Sequence, residues 1–372
     1  MKVYFKGFNE LRAIGALTVI FGHIELIKSF NGVDNLMEFG FYKYTNGHIG
    51  VILFFVLSGF LITYFLLKEV KESNTLNIKL FYFKRLTRIW PIYYLMILFS
   101  IYIFPQFLRF NDGTVINYSI NQTKYYLLFL PNIAKNLNMQ INGASHLWSI
   151  GVEEQFYLIW PLVIYFFKRN IGLILISFFL IFSLLNPFID YLSYNYHVFK
   201  YQPEMKHFLN SFLSSFKINA MALGGIFAYL LSSENYKQLK KLLYNPYFEI
   251  LIVSITTLSW ISGTSFGTFN DEIYCILFGM IIYMIGTNNN TNIKIENKLF
   301  NYLGKISYGL YVYHWLVIVI LIELIKPIFF NNIIVYNLIL YILTFLLTII
   351  ISEISYRYIE RPLINLKYRL SQ

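Results

Sequence analysis

The chain has 372 residues, of which 57% are hydrophobic, 20% aromatic and only 13% charged, with a mean hydropathy of +0.55. A soluble domain carries nearer a quarter charged residues, so this composition excludes one and calls for lipid as solvent. The formal net charge of +11 is no nucleic-acid signal, because Lys and Arg gather beside alternate apolar stretches, as in cytoplasmic loops.

In chain order, apolar windows predict about ten spans, near residues 9–27, 48–67, 86–104, 148–167, 171–189, 210–231, 247–263, 272–286, 304–324 and 334–356. Several are shorter than the ~20 residues of a full crossing, so their ends are set only to within a few positions. The first run has no small-residue cleavage site after it and reads as a retained span rather than a signal peptide. Segments holding Lys68, Lys71, Lys84, Arg85, Arg88, Lys168 and Arg169 carry more positive charge than those holding Lys28, Lys43, Arg109, Lys124 and Lys135. The overall bias of about two to one puts both termini in the cytoplasm. The expected fold is all-α: a polytopic transmembrane helical bundle, with residues 1–372 forming a single domain in the inner or plasma membrane. Two outer loops, Pro105 to Ser145 (interrupted by Pro131) and Tyr191 to about Asn210, are too short for a catalytic domain of their own. Asn117-Tyr118-Ser119 and Asn121-Gln122-Thr123 match a weak glycosylation pattern.

The first span carries Arg12 and His23. A charge in hydrocarbon costs roughly 2.5–3.5 kcal/mol on insertion scales, and chains keep such residues for chemistry, ion movement or a buried partner. Eleven residues of helix separate the two by roughly 16 Å, about half of a ~30 Å hydrocarbon core. One helix thus holds a cation near one face and a titratable base towards the other. Ala13, Gly15 and Ala16 allow a close helix neighbour. In the second span, Ser58-Gly59-Phe60 reads as helix packing or the lining of a substrate passage. Arg85 and Arg88, at i and i+3 of the third span, share a face and with Arg12 suit a phosphate, whose oxygens the planar guanidinium grips in pairs.

The strongest local signal is Ser145-His146-Leu147-Trp148-Ser149-Ile150-Gly151-Val152-Glu153-Glu154-Gln155-Phe156-Tyr157. Two adjacent carboxylates run straight into an apolar helix. Dipole compensation at the helix start explains one of them; a carboxylate held there can also orient an imidazole or act as a base. By depth, Glu153 or Glu154 could reach His23. In the ninth span Tyr311 and His314 fall at i and i+3 and face one way. Cys275 is the lone cysteine, which excludes an intrachain disulfide and a thiolate zinc site, and no metal is expected.

These stretches resemble the membrane-bound acyltransferase-3 family over nearly the whole chain. Arg12 and His23 match its basic-residue, ten-residue-gap, histidine pattern, Ser58-Gly59-Phe60 its Ser-Gly-Phe element, and Arg85 to Arg88 its Arg-x-x-Arg element. His146 to Ser149 with Val152 to Tyr157 looks like its outer-loop signature. The resemblance implies acyl transfer from cytoplasmic acyl-CoA, by family habit acetyl-CoA, to sugars of lipid-linked or surface glycans such as lipopolysaccharide. Some members append an outer hydrolase-like domain; none is read here, so acceptor handling is expected in the membrane domain or a partner. On this reading Arg12, Arg85 and Arg88 hold the donor's phosphates. Ser58, Gly59, Phe60, Trp148, Ser149, Tyr311 and His314 line the passage. His23, oriented by Glu153 or Glu154, removes the acceptor's proton for direct transfer; the alternative is a transient acyl group on His23 or Ser58. The expected partners are acyl-CoA, a saccharide and membrane lipid, with no nucleic acid. The rival function is a secondary transporter or flippase with Arg, His and Glu along a substrate or proton path.

Overall fold

The computed structural model of the protein describes residues 4–35, 47–107, 118–329 and 332–370. Lys43, Arg109 and Asn117, used above, lie outside them. Among the described residues, nine helices are long and apolar enough to cross a membrane, and a further apolar helix, Pro246–Ser262, is shorter. They account for every predicted span. We number the principal helices α1 (Phe8–Phe30), α2 (His48–Ser73), α3 (Ile78–Leu98), α4 (Trp148–Phe167), α5 (Ile171–Tyr196), α6 (Ile218–Ser232, the second part of the span Pro203–Ser232), α7 (Pro246–Ser262), α8 (Asn270–Thr287), α9 (Ser307–Phe329) and α10 (Ile333–Ser355).

Where bounds differ from the sequence reading, local chemistry gives the reason. Helix α3 starts at Ile78, well before the apolar window, because the Asn77 side chain caps it by accepting from the Leu80 amide (2.9 Å). Its polar first turns are helical although they are not apolar. Helix α5 runs on to Tyr196, past the expected loop start, and ends where His197 takes a left-handed conformation (φ 53°). Pro203 then opens another helix, Pro203–Ser215. In the longer loop Pro131 starts the helix Pro131–Asn136 rather than breaking the chain, as proline does at a first helical position. The preceding helix, Ile120–Leu127, carries a capping box of Ser119 and Gln122. Tyr126 anchors this loop: fully buried, it accepts from the Ile141 amide through its hydroxyl (3.2 Å) and from Tyr93 through its carbonyl (2.8 Å).

Contacts gather the helices into two compact units. The first comprises Met1–Val19, Leu36–Leu76 and Phe156–Lys305. Its interior depends on small residues. Gly59 of α2 lies against the backbone of Met221 on α6, and Gly224 of α6 against the Val56 carbonyl. A β-carbon on Gly50 would stand 2.8 Å from the Gly15 carbonyl oxygen, so α1 and α2 meet backbone to backbone where small residues were expected. Gly59→Leu should therefore remove most folded protein from the membrane fraction, with Gly59→Ala intermediate. Overpacking a core typically costs ~1–3 kcal/mol, and here the obstacle is main chain. Thermal unfolding in detergent checks the order.

The second unit comprises Ile20–Asn35, Asn77–Gln155 and Ile306–Gln372. Within it α9 packs on α10 through Gly309 against Ser352, along a fully buried stripe of Thr344, Thr348 and Ser352. Lys28 on α1 is 0% exposed and Glu25 1%. Lys28 Nζ donates to both Glu25 oxygens (2.9 and 3.1 Å), and the Tyr341 hydroxyl of α10 donates to Oε1 (2.5 Å).

Candidate active site

Three imidazoles and an indole form the polar heart of the second unit. His314 and Trp315 sit on α9, His146 precedes α4, and His23 lies on α1. His314 Nδ1 is 3.2 Å from the Leu310 carbonyl oxygen, four residues back on its own helix. A carbonyl only accepts, so Nδ1 carries the hydrogen. A neutral imidazole has one such hydrogen, which leaves Nε2 as an acceptor. His23 Nδ1 donates to it at 2.7 Å. The bare nitrogen of His23 is therefore Nε2. The two rings stack at 5.0 Å with 4° between planes, and Trp315 meets His23 edge-on at 5.0 Å. His314 is fully buried, whereas His23 keeps part of its surface. Of the bonded pair, His23 is the more exposed.

His146 completes the cluster, stacking on Trp315 (5.6 Å, 8°) and meeting His314 edge-on (5.0 Å). Its Nε2 donates to the Val312 carbonyl at 2.9 Å. The main-chain carbonyl of His146 accepts from Tyr311 (3.0 Å), so the 2.6 Å bond between Tyr311 and Ser149 must have the serine as donor. Lys135 lies 4.4 Å over the Trp148 ring, a cation–π contact that occupies that indole face. The spacing of Tyr311, His314 and Trp315 puts all three on one side of α9.

The carboxylates of α4 face different partners. Glu154 Oε2 accepts from Trp90 Nε1 on α3 at 2.9 Å, and Glu153, beside it, is partly exposed. Where the sequence suggested a carboxylate as the orienting partner of His23, the ring bonded to His23 Nδ1 is His314. Arg85 acts electrostatically on Glu154, and Arg88 on Glu360, which is 4% exposed. The Tyr308 hydroxyl at the start of α9 donates to the Ile89 carbonyl (2.7 Å). The arginine-bearing part of α3 therefore meets the first turn of α9. His314 stands six residues further along, about 9 Å at the helical rise.

Other expected site residues belong to the first unit. Arg12 donates to Asn9 Oδ1 at 3.2 Å within α1. Ser58 Oγ and the Tyr157 hydroxyl are 2.6 Å apart. Gly59 is held against the Met221 backbone, and Phe60, 0% exposed, lies among Phe5, Phe8 and Tyr64. Packing accounts for these last two. His146 stood in the quoted outer-loop motif without a role, its signal being its place one turn before Ser149; Trp315 and Trp90 were not singled out. Among the described residues no group of three or more His, Cys, Asp or Glu is arranged to hold a metal ion. The clustered imidazoles are tied to one another and to carbonyls instead.

The profile of the acyltransferase-3 family, an acyltransferase domain, matches residues 5–353. The chain is 27% identical over 398 residues to the peptidoglycan O-acetyltransferase OatA of Listeria monocytogenes, covering 97% of this chain and 56% of that protein. It is 28% identical over 386 residues to the O-acetyltransferase OatA of Staphylococcus aureus, covering 97% and 57%. It thus spans little more than half the length of these relatives. No solved structure matches it. The helical membrane fold, the ordered motifs and a match over residues 5–353 agree: this multi-pass membrane protein belongs to the acyltransferase-3 family.

Proposed function

We propose that the protein is an integral membrane O-acetyltransferase that moves an acetyl group from acetyl-CoA to a saccharide hydroxyl. The observation that carries this reading is the bonded chain from Leu310 O through His314 to His23, which leaves His23 Nε2 unprotonated on the partly exposed ring. In the proposed step Nε2 takes the proton of the acceptor hydroxyl as its oxygen bonds to the acetyl carbonyl carbon. The carbon–sulfur bond then breaks, and the departing thiolate takes the proton back from His23 as free CoA thiol. Acetate stays on the saccharide as an ester and His23 returns neutral, so no acyl-enzyme is needed.

Arg85 and Arg88 are assigned to the donor's phosphates, with Arg12 as a further donor contact on the helix that carries His23. Glu154 and Glu360 interact with Arg85 and Arg88 electrostatically. Arg88→Ala should raise the KM for acetyl-CoA about tenfold, the loss of a charge-assisted hydrogen bond, while the KM for saccharide stays within about twofold. A saccharide of the peptidoglycan type, named for the Listeria relative, is the first acceptor to test. Purified protein in lipid vesicles, given acetyl-labelled CoA outside and saccharide inside or outside, should move label onto the saccharide as an ester. Transport of either compound without an ester product would sink the proposal in favour of a carrier.

A further inference from the structure

His146 holds a second acceptor nitrogen that nothing among the described residues satisfies. Its Nε2 carries the hydrogen, because the Val312 carbonyl can only accept. Its Nδ1 is therefore a lone pair, and that atom is buried with no hydrogen-bond partner on a residue only 2% exposed. More than nine in ten buried polar groups have a partner, so such an atom calls for one. The ring cannot turn over to relieve it without giving up the bond to Val312.

Three facts say what fits there. The missing partner must be a donor, an O–H or N–H. It must come from outside the protein, since the side chain is enclosed and unserved. It must also be close to the reacting centre, because Trp315 touches both His146 and His23 and His314 touches both as well. Within the second unit His146 stands just before α4, after the loop that follows α3, whereas Arg85 and Arg88 stand two to three turns into α3. Glu154, eight residues after His146, accepts from Trp90 of α3 at 2.9 Å, so His146 lies about 12 Å from that level at the helical rise. On the acetyltransferase reading the acceptor enters at His146 and the donor's phosphates at the arginines.

We propose that His146 Nδ1 accepts a hydrogen bond from the saccharide itself, from an O–H or amide N–H on the carbon next to the hydroxyl that reacts at His23. The acceptor class is then a sugar with two adjacent polar positions, one esterified and one read. This rests on the acetyltransferase reading above and adds a specificity residue to it.

Two substitutions separate the nitrogens of the ring. In His146→Gln the side-chain amide can still donate to Val312, but the δ position has lost its acceptor. In His146→Asn an oxygen replaces Nδ1 and the donor to Val312 is lost. With an N-acetylglucosamine oligomer as acceptor, His146→Gln should raise the KM for saccharide about tenfold or more and leave the KM for acetyl-CoA unchanged. His146→Asn should keep the saccharide KM near the wild-type value. An acceptor analogue lacking the neighbouring polar group should be as poor for the wild type as the full acceptor is for His146→Gln. The proposal is overturned if His146→Gln behaves as wild type, or if both KM values rise together. A second readout needs no variant: the chain has six histidines, and in 15N-histidine spectra one bare Nδ1 should shift on adding saccharide and not on adding CoA. No such shift overturns the proposal even where a variant fails to fold. Failure of the wild type to acetylate any saccharide would instead count against the acetyltransferase reading.

Discussion

If His23 is the general base proposed above, His23→Ala should slow acetyl transfer by about 10²–10⁴-fold, while the protein remains in the membrane at normal abundance. The same assay on His314 distinguishes a base from the group that aims it. His314→Leu removes the acceptor of the 2.7 Å bond from His23 Nδ1. The imidazole of His23 is then free to place its hydrogen on either nitrogen and to rotate, and kcat falls with little change in either KM. His314→Gln restores an acceptor oxygen near the position of Nε2 and should recover most of the lost rate. Initial rates with labelled acetyl-CoA decide the matter. Equal rates for His314→Leu and wild type would show that the bond does not orient His23.

Lys28→Met destabilises the protein by about 3–5 kcal/mol, the usual consequence of removing one member of a buried ion pair. The Glu25 carboxylate, 1% exposed, loses its ammonium and keeps the bond from the Tyr341 hydroxyl. Changing Glu25 to Gln at the same time removes the charge that would be stranded, so the double variant should regain a large part of the loss. Denaturant or thermal unfolding in one detergent, run on all three variants, reads out the difference. If Lys28→Met unfolds at the wild-type temperature, the pair contributes nothing to the fold. Lys28 also shows why a lysine near the end of an apolar run need not mark a loop: the sequence counted it with the outer charges, and it is fully buried.

The spans were legible because lipid demands long apolar runs, and that demand is local. Trp148–Phe167 agrees with its predicted bounds residue for residue. Bounds set by polar residues were harder to read, since Lys79, Lys84 and Arg85 are good helix formers that no hydropathy window includes. In the candidate site, the hydrogen-bond partners that the structure gives the named residues come from distant segments. His23 and His314 are 291 positions apart, and nothing in either segment specifies the other. The expectation of a carboxylate beside His23 followed from depth alone. Depth fixes a level in the membrane but not a direction around a helix, and Glu154 points its oxygen to Trp90. The bare nitrogen of His146 was further out of reach, because it depends on which carbonyl the other nitrogen meets.

Those carbonyls have a consequence for how this protein can change over time. The hydrogen positions on His314 and His146 are set by Leu310 O and Val312 O, which belong to the main chain. Every amino acid supplies the same oxygen. Mutations at positions 310 and 312 can therefore alter size and shape without reversing the polarity of either ring, so long as α9 stays helical. The hydrogen pattern of the His314–His23 pair is thus inherited from the helix itself, and the surrounding side chains are left free to vary.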